Sequence, residues 1–249
     1  MGHVMRGTIS FDRAVETYDA TRSLPPQVMS KVVEKLVAVL ERRECHDILD
    51  AGVGTGRFSV PLQEHGFDVA GVDVSLEMLG RARAKSVRNV ARGDVCRMPF
   101  KDKSFDATLM MHILHLVREW RQALSEVRRV TSKVLVSITG TFPQSEGPVE
   151  SYKTRLLESG WPEIFPGIHE RDLVNTIPPS ESNFAATSEQ ERAAEEVLDL
   201  LDRRTYSYQW DVPEEVHTRI MAQLRTEYTG KRLRSSRELN VSVWDVERL

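Results

Sequence analysis

Cysteine is scarce in this chain of 249 residues: Cys45 and Cys96 are its two. Two thiols cannot staple a fold, so a disulfide-framed secreted scaffold is excluded, and a reducing compartment fits. Long apolar runs are missing too. No stretch of 18 residues is apolar enough to cross a bilayer, and the N-terminus MGHVMRGTIS lacks the apolar heart of a secretory signal. A cytoplasmic protein is the expectation. Charge of one sign is also missing: 34 Lys and Arg face 37 Asp and Glu, a net −3. No global positive field draws the chain to nucleic acid or to anionic lipid. Repeats and low-complexity tracts are absent. Local basic clusters at 81–97 and 231–237 read as solvated faces. With 40% hydrophobic and 29% charged residues, the composition is that of a globular chain with one large core.

The remaining pattern alternates. Pro25-Pro26 opens a helix over 25–43, in which Met29, Val32, Val33, Leu36 and Leu40 recur at helical spacing. Strands are expected at 47–50, 68–73, 87–92, 105–111 and 134–138, and helices at 57–65, 76–85 and 119–131. Such alternation predicts an α/β fold: an open, mostly parallel, Rossmann-like sheet with helices on both faces. After Ile138 the rhythm breaks. A helix at 151–159, one capped by Thr187 or Ser188, and one opened by a capping box from Asp211 are expected, with a final strand at 238–244. A further strand belongs in 172–210 without a definite place. The division expected is an α/β core at 1–140, a largely helical lid and substrate region at 141–230 holding one core strand, and a C-terminal strand at 231–249.

The densest chemical signal is Asp50-Ala51-Gly52-Val53-Gly54-Thr55-Gly56, between a strand and a helix. Glycines allow a sharp turn and let a ligand press on bare backbone. In an open parallel sheet, ligands bind beyond the carboxyl ends of the strands. Asp73 ends the next strand, where a carboxylate can accept both hydroxyls of a ribose. A nucleoside cofactor follows. The dinucleotide pattern fails because Arg57 stands at its third glycine, and no Gly-Lys-Ser/Thr of a P-loop is present.

The segment Ile48-Leu49-Asp50-Ala51-Gly52-Val53-Gly54-Thr55-Gly56-Arg57-Phe58 resembles motif I of the class I S-adenosylmethionine-dependent methyltransferases. Val72-Asp73-Val74-Ser75-Leu76-Glu77-Met78-Leu79 resembles the second motif. Gly93-Asp94-Val95 with Met98-Pro99-Phe100 resembles the third, and Ser104-Phe105-Asp106 is similar to the opening of the fourth strand. Phe11-Asp12-Arg13 and Tyr18-Asp19-Ala20-Thr21-Arg22 resemble the start of the ubiquinone/menaquinone-type small-molecule subgroup. The resemblance implies S-adenosyl-L-methionine as cofactor and a small-molecule methyl acceptor. It also implies roles. Asp50 and the backbone at Gly52 and Gly54 would hold the methionine part. Asp73 would take the ribose, Val74 or Met78 would flank the adenine, and Asp94 with the Val95 amide would read its edge. Tyr18 and Arg22 would close over the cofactor.

Methyl transfer from a sulfonium needs alignment above all, and a base only where the acceptor must lose a proton. His112 and His115, just past the fourth strand, are the catalytic candidates, since histidine titrates near neutrality. Tyr206, Tyr208 and Trp210 would point to one side of an extended segment, as ordinary core packing or as an aromatic wall for an acceptor. Phe142, Trp161 and Phe165 are further candidates in the lid. No Cys/His spacing suggests zinc, so no metal is expected. A tRNA-modifying enzyme, mildly favoured by the 231–237 cluster and opposed by the net charge, is one alternative. A protein that binds the cofactor without turnover is another. A monomer or homodimer fits the length.

Overall fold

The computed structural model describes residues 24–141 and 147–249, together with Phe11, Asp12, Val15, Tyr18 and Asp19. Arg22 and Phe142 lie outside the described residues. The elements run α1 (Pro26–Arg42), β1 (Asp47–Ala51), α2 (Ser59–Glu64), β2 (Asp68–Asp73), α3 (Leu76–Ala84), β3 (Asn89–Arg92), β4 (Phe105–Leu109), α4 (Trp120–Val130) and β5 (Thr131–Thr141). Then come α5 (Pro148–Glu158), α6 (Glu170–Thr176), β6 (Glu181–Ala193), α7 (Ala194–Asp202), α8 (Glu214–Tyr228) and β7 (Arg232–Asp245).

Among the described residues these strands form a seven-stranded sheet in the order β3-β2-β1-β4-β5-β7-β6. The neighbours β3/β2, β2/β1, β1/β4 and β4/β5 all run parallel. Chain order therefore reverses direction between β1 and β4, the switch point at which such sheets bind ligands. The central parallel strands are buried on both faces over their middles, which is why short apolar runs such as Ile48-Leu49 and Val134-Leu135-Val136 stand there, whereas β3 at the edge is only partly buried. Ile48, Val69, Leu109 and Val136 join one cluster, with Val32, Leu36 and Leu40 of α1. Leu49, Val72 and Leu135 join the other, with Leu124 and Val127 of α4. Neighbouring residues such as Ile48 and Leu49 thus point to opposite faces, each fully buried.

The chain divides into two compact units: residues 1–140, 167–186 and 238–249 in one, and 141–166 and 187–237 in the other. The first unit holds the parallel strands and also α6, inside the stretch expected to be a lid. The second packs α5, α7 and α8 around Tyr152, Leu156, Leu198, Leu201, Ile220 and Leu224.

The structure departs from the sequence pattern in four places. The unplaced strand is β6. Thr187 and Ser188 sit inside it rather than capping a helix, and α7 starts later, with Ala193 as its N-cap. A helix reading survives there on periodicity alone because only the pairing with β7 decides against it. The expected capping box from Asp211 is not made: Pro213 is the N-cap of α8 and no side chain caps it. The Arg204 guanidinium instead donates to the carbonyls of Gln209 and Val212 and to Glu214. β7 begins at Arg232, so the basic 231–237 run lies largely on a strand. There Arg232 and Arg234 both pair with Glu191 of β6. Finally, Tyr206, Tyr208 and Trp210 are not extended. A short 3-10 turn at Ser207–Gln209 stacks the Tyr206 and Tyr208 rings at 5.5 Å.

Candidate active site

β1 delivers the chain to the glycine turn at the carboxyl edge of the sheet. Gly52, Gly54 and Gly56 have φ of +83°, +54° and +78°, a region that side chains with a Cβ rarely occupy. The turn folds back on β2: the amides of Gly52 and Val53 both donate to the Val72 carbonyl, at 2.8 and 3.0 Å. The Val53 side chain then settles on Gly71, where a Cβ would come within 2.8 Å of it. The front of Gly54 is open, because a Cβ built there meets nothing nearer than the Gly52 carbonyl at 4.0 Å. That is the bare backbone a ligand can approach.

Asp73 closes the turn from the end of β2. Its Oδ2 accepts from the Gly54 amide and its Oδ1 from the Ser75 amide, both at 2.9 Å. Burial pushes its carboxyl upward, and the backbone amides of Ser75, Gly54 and Val74 oppose that push. Asp50, at the end of β1, is buried and accepts from Ser59 Oγ at 2.6 Å. Burial raises it to about 6, with nearby Asp73 adding to the rise and the Ser59 bond resisting it. Two carboxylates therefore face one turn from adjacent strands.

The other cofactor candidates lie along the same edge. Val74 follows Asp73, and Met78 is buried one turn into α3, where its amide donates to the N-cap Ser75 hydroxyl. The Gly93 amide donates to the Asp73 carbonyl at 3.0 Å, which brings Asp94 and Val95 beside the end of β2. Asp94 Oδ1 accepts from the Cys96 amide at 2.9 Å, forming a tight turn, and the Val95 side chain is buried. Tyr18 meets Phe11 edge to face at 5.7 Å.

Several participants carry no motif signal of their own. Asp12 accepts from the Ser75 hydroxyl, which caps α3. Asp19 accepts from Thr55 Oγ1 at 2.6 Å and pairs with Lys85 at 2.5 Å. The N-terminal segment is thus tied to the glycine turn by Asp19 and to the start of α3 by Asp12. Both acids stand inside segments flagged above, yet only tertiary contact reveals their partners.

Beyond β4 the chain crosses the front of the turn. The Ile113 side chain rests on Gly52, where a Cβ would come within 2.0 Å of its Cδ1. His112, half-buried, has φ +58°, a strained value for a non-glycine residue. His115 lies on a short 3-10 turn at Leu114–Leu116 and points to a different neighbourhood. Its ring stacks on His169 at 5.0 Å, and its Nδ1 stands 3.9 Å from Glu170 Oε2. Glu170 is 5% exposed, and burial raises its carboxyl to about 7. These two residues come from 54 and 55 positions further along the chain, and no spacing rule could have found them.

Comparison with known proteins supplies the class. The methyltransferase domain family matches residues 49–134. The fold is shared with an S-adenosylmethionine-dependent methyltransferase of Thermotoga maritima (TM-score 0.50, 20% identity, 93% of this chain and 97% of that one). It is shared as well with the YcgJ protein of Bacillus subtilis (TM-score 0.51, 17% identity, 85% and 98%). The chain belongs to the class I S-adenosylmethionine-dependent methyltransferases.

Within that class it is similar to the demethylmenaquinone methyltransferase of Renibacterium salmoninarum, 33% identical over 162 residues, or 62% of this chain and 66% of that protein. It is also similar to the phosphatidylethanolamine N-methyltransferase of Cereibacter sphaeroides, 35% identical over 117 residues, or 44% and 57%. The chain spans between about half and two thirds of the length of these curated relatives.

Proposed function

We propose that the chain transfers the methyl group of S-adenosyl-L-methionine to a small-molecule acceptor. The observation that carries this reading is the Asp73 carboxylate, held at the rim by the Gly54 and Ser75 amides beside an open glycine backbone. With these amides in place, its two oxygens still have lone pairs to offer ribose hydroxyls. The cofactor would supply a sulfonium methyl with a good leaving group. Asp50 and the Gly52–Gly54 backbone would hold the methionine part, and Val74 and Met78 would flank the adenine. Asp94 and the Val95 amide would read the adenine edge, with Tyr18 and Arg22 closing over the site.

The chemistry then needs alignment, and a proton acceptor where the substrate loses a proton. His112 is the base in this reading. It sits beside Ile113, which lies on Gly52, and its backbone strain is the kind that fixes a side chain at a functional site. His115 acts from the second neighbourhood, with Glu170. The relatives named above carry acceptors as different as a demethylmenaquinone and a phosphatidylethanolamine. The acceptor choice of this chain is therefore assigned to the unit of 141–166 and 187–237, which lies outside the matched methyltransferase domain. The RNA alternative rests on the basic run 231–237, in which Arg232 and Arg234 pair with Glu191 on an exposed strand, and salt-dependent retention on RNA would favour it.

Calorimetry with S-adenosylhomocysteine, followed by a panel of phenol, quinol and amine acceptors scored by release of that product, tests the proposal. Binding with turnover of at least one small acceptor is expected. No heat of binding would end it.

A further inference from the structure

Metal-ligating side chains converge at one place among the described residues with little exposure to solvent. His115, His169 and Glu170 bring one ligand atom each to within 4.8 Å of one another, and the His115 Nδ1 to Glu170 Oε2 distance is 3.9 Å. The side chains of His115 and Glu170 are 17% and 7% exposed. The backbone amides of Ile113 and Leu114 support the Glu170 carboxylate, while its Oε1 is buried with no hydrogen-bond partner among the described residues. A buried carboxylate oxygen left in that state is costly unless a cation or donor completes it. The pieces are also held in register. The Gly167 amide donates to the His115 carbonyl at 3.1 Å. A Cβ at 167 would lie 2.0 Å from the Leu114 carbonyl, so only glycine lets the strand of chain carrying His169 and Glu170 come this close.

We propose that His115, His169 and Glu170 form a binding site for one divalent first-row transition-metal ion, of the zinc type, with a further position open to water or to an oxygen of a small molecule. Two imidazoles and a carboxylate suit zinc, cobalt, nickel or ferrous iron rather than calcium or magnesium, which prefer all-oxygen sites. Three protein ligands with an open position is the pattern of reactive rather than purely structural zinc. Zinc bound at its usual ~2.0 Å distances holds neighbouring ligand atoms about 3.3 Å apart, so capture draws the three atoms inward by about 1 Å. The two rings lie nearly parallel, at 8°, and one must turn about its Cβ–Cγ bond to aim at a shared ion. That torsion is broad and soft. A second cluster, His46, Asp47 and Asp68, is exposed and serves as the control.

The test uses the full chain without an affinity tag, stripped with a chelator and titrated with cobalt(II) and then zinc(II), with neither cofactor nor acceptor present. Its outcome is therefore independent of methyl transfer. One cobalt per chain is expected, with the visible absorption of a four- or five-coordinate ion, displaced by zinc. His169→Ala and Glu170→Gln should each weaken uptake at least ~10-fold, while His46→Ala leaves it unchanged. Zinc should raise the melting temperature of the parent protein and not that of Glu170→Gln, a variant that only removes a buried charge and keeps the side chain's shape. Absence of cobalt uptake by the parent protein overturns the proposal. So does uptake unchanged in both His169→Ala and Glu170→Gln, or uptake lost in His46→Ala.

Discussion

The carboxylate of Asp73 and the backbone of Gly54 are joined by a 2.9 Å hydrogen bond across the carboxyl edge of the sheet, from β2 to the turn that follows β1. The bond does two things at once. It fixes the left-handed turn at Gly54, and in the proposed function it orients the acid for a ribose. Asp73→Ala removes a charged acceptor from two amides and from the cofactor. Each such bond contributes about 1.5–3 kcal/mol. We therefore expect the dissociation constant for S-adenosylhomocysteine to rise at least ~10-fold, and more toward ~100-fold, read by calorimetry. Unchanged affinity would remove Asp73 from the site.

Asp50 predicts a pH dependence of stability. Its carboxyl stands near 6 in the folded protein against an ordinary 3.8. The folded state therefore binds the proton more tightly than the unfolded chain does. Stability contributed by this group is full below about pH 4 and falls as the pH rises toward 6, by on the order of 2–3 kcal/mol in total. Asp50→Asn cannot ionise. It should melt above the parent protein at pH 7.5 and lose that advantage at pH 4, while binding the cofactor more weakly. Equal melting differences at the two pH values would refute the assignment.

Ile113 and Gly52 predict a coupled pair. Gly52→Ala places a Cβ against Ile113 Cδ1 at a φ of +83°. It should cost about 1–3 kcal/mol, from both overlap and backbone strain. Ile113→Ala in the same chain relieves the overlap and leaves the strain, so the double variant should be more stable than the sum of the two single losses. Chemical denaturation of the four proteins measures this. Strict additivity would show that the two residues do not touch.

His112 is expected to matter for turnover more than for binding. His112→Ala should lower kcat by about 10²-fold or more with a phenolic or other proton-losing acceptor, while cofactor affinity stays within about 2-fold. A parallel loss of both would make the residue structural.

The two cysteines should be inert in the folded protein. Burial pushes Cys45 up to about 11, and burial with the adjacent Asp94 carries Cys96 up to about 12. Neither forms a thiolate at pH 8, so alkylation there should modify neither until denaturant is added. Mass spectrometry of the native protein after iodoacetamide treatment decides it.

From the residues alone, the alternation of apolar runs with amphipathic helices dictates an open parallel sheet, and the acid-glycine turn with Asp73 beyond it marks the cofactor edge. Both signals are local. A strand buried on both faces is mostly apolar, and a left-handed turn pressed against neighbouring chain favours glycine. Tertiary structure alone decided the rest. β6 took Thr187 and Ser188 from the cap of an expected helix because pairing with β7, a partner distant in sequence, was available there. Asp12 and Asp19 found Ser75, Thr55 and Lys85, and His115 found His169 and Glu170, across separations at which sequence carries no distance information. Side chains more than 50 residues apart become neighbours only when crossovers and glycine-permitted close approaches bring their backbones together.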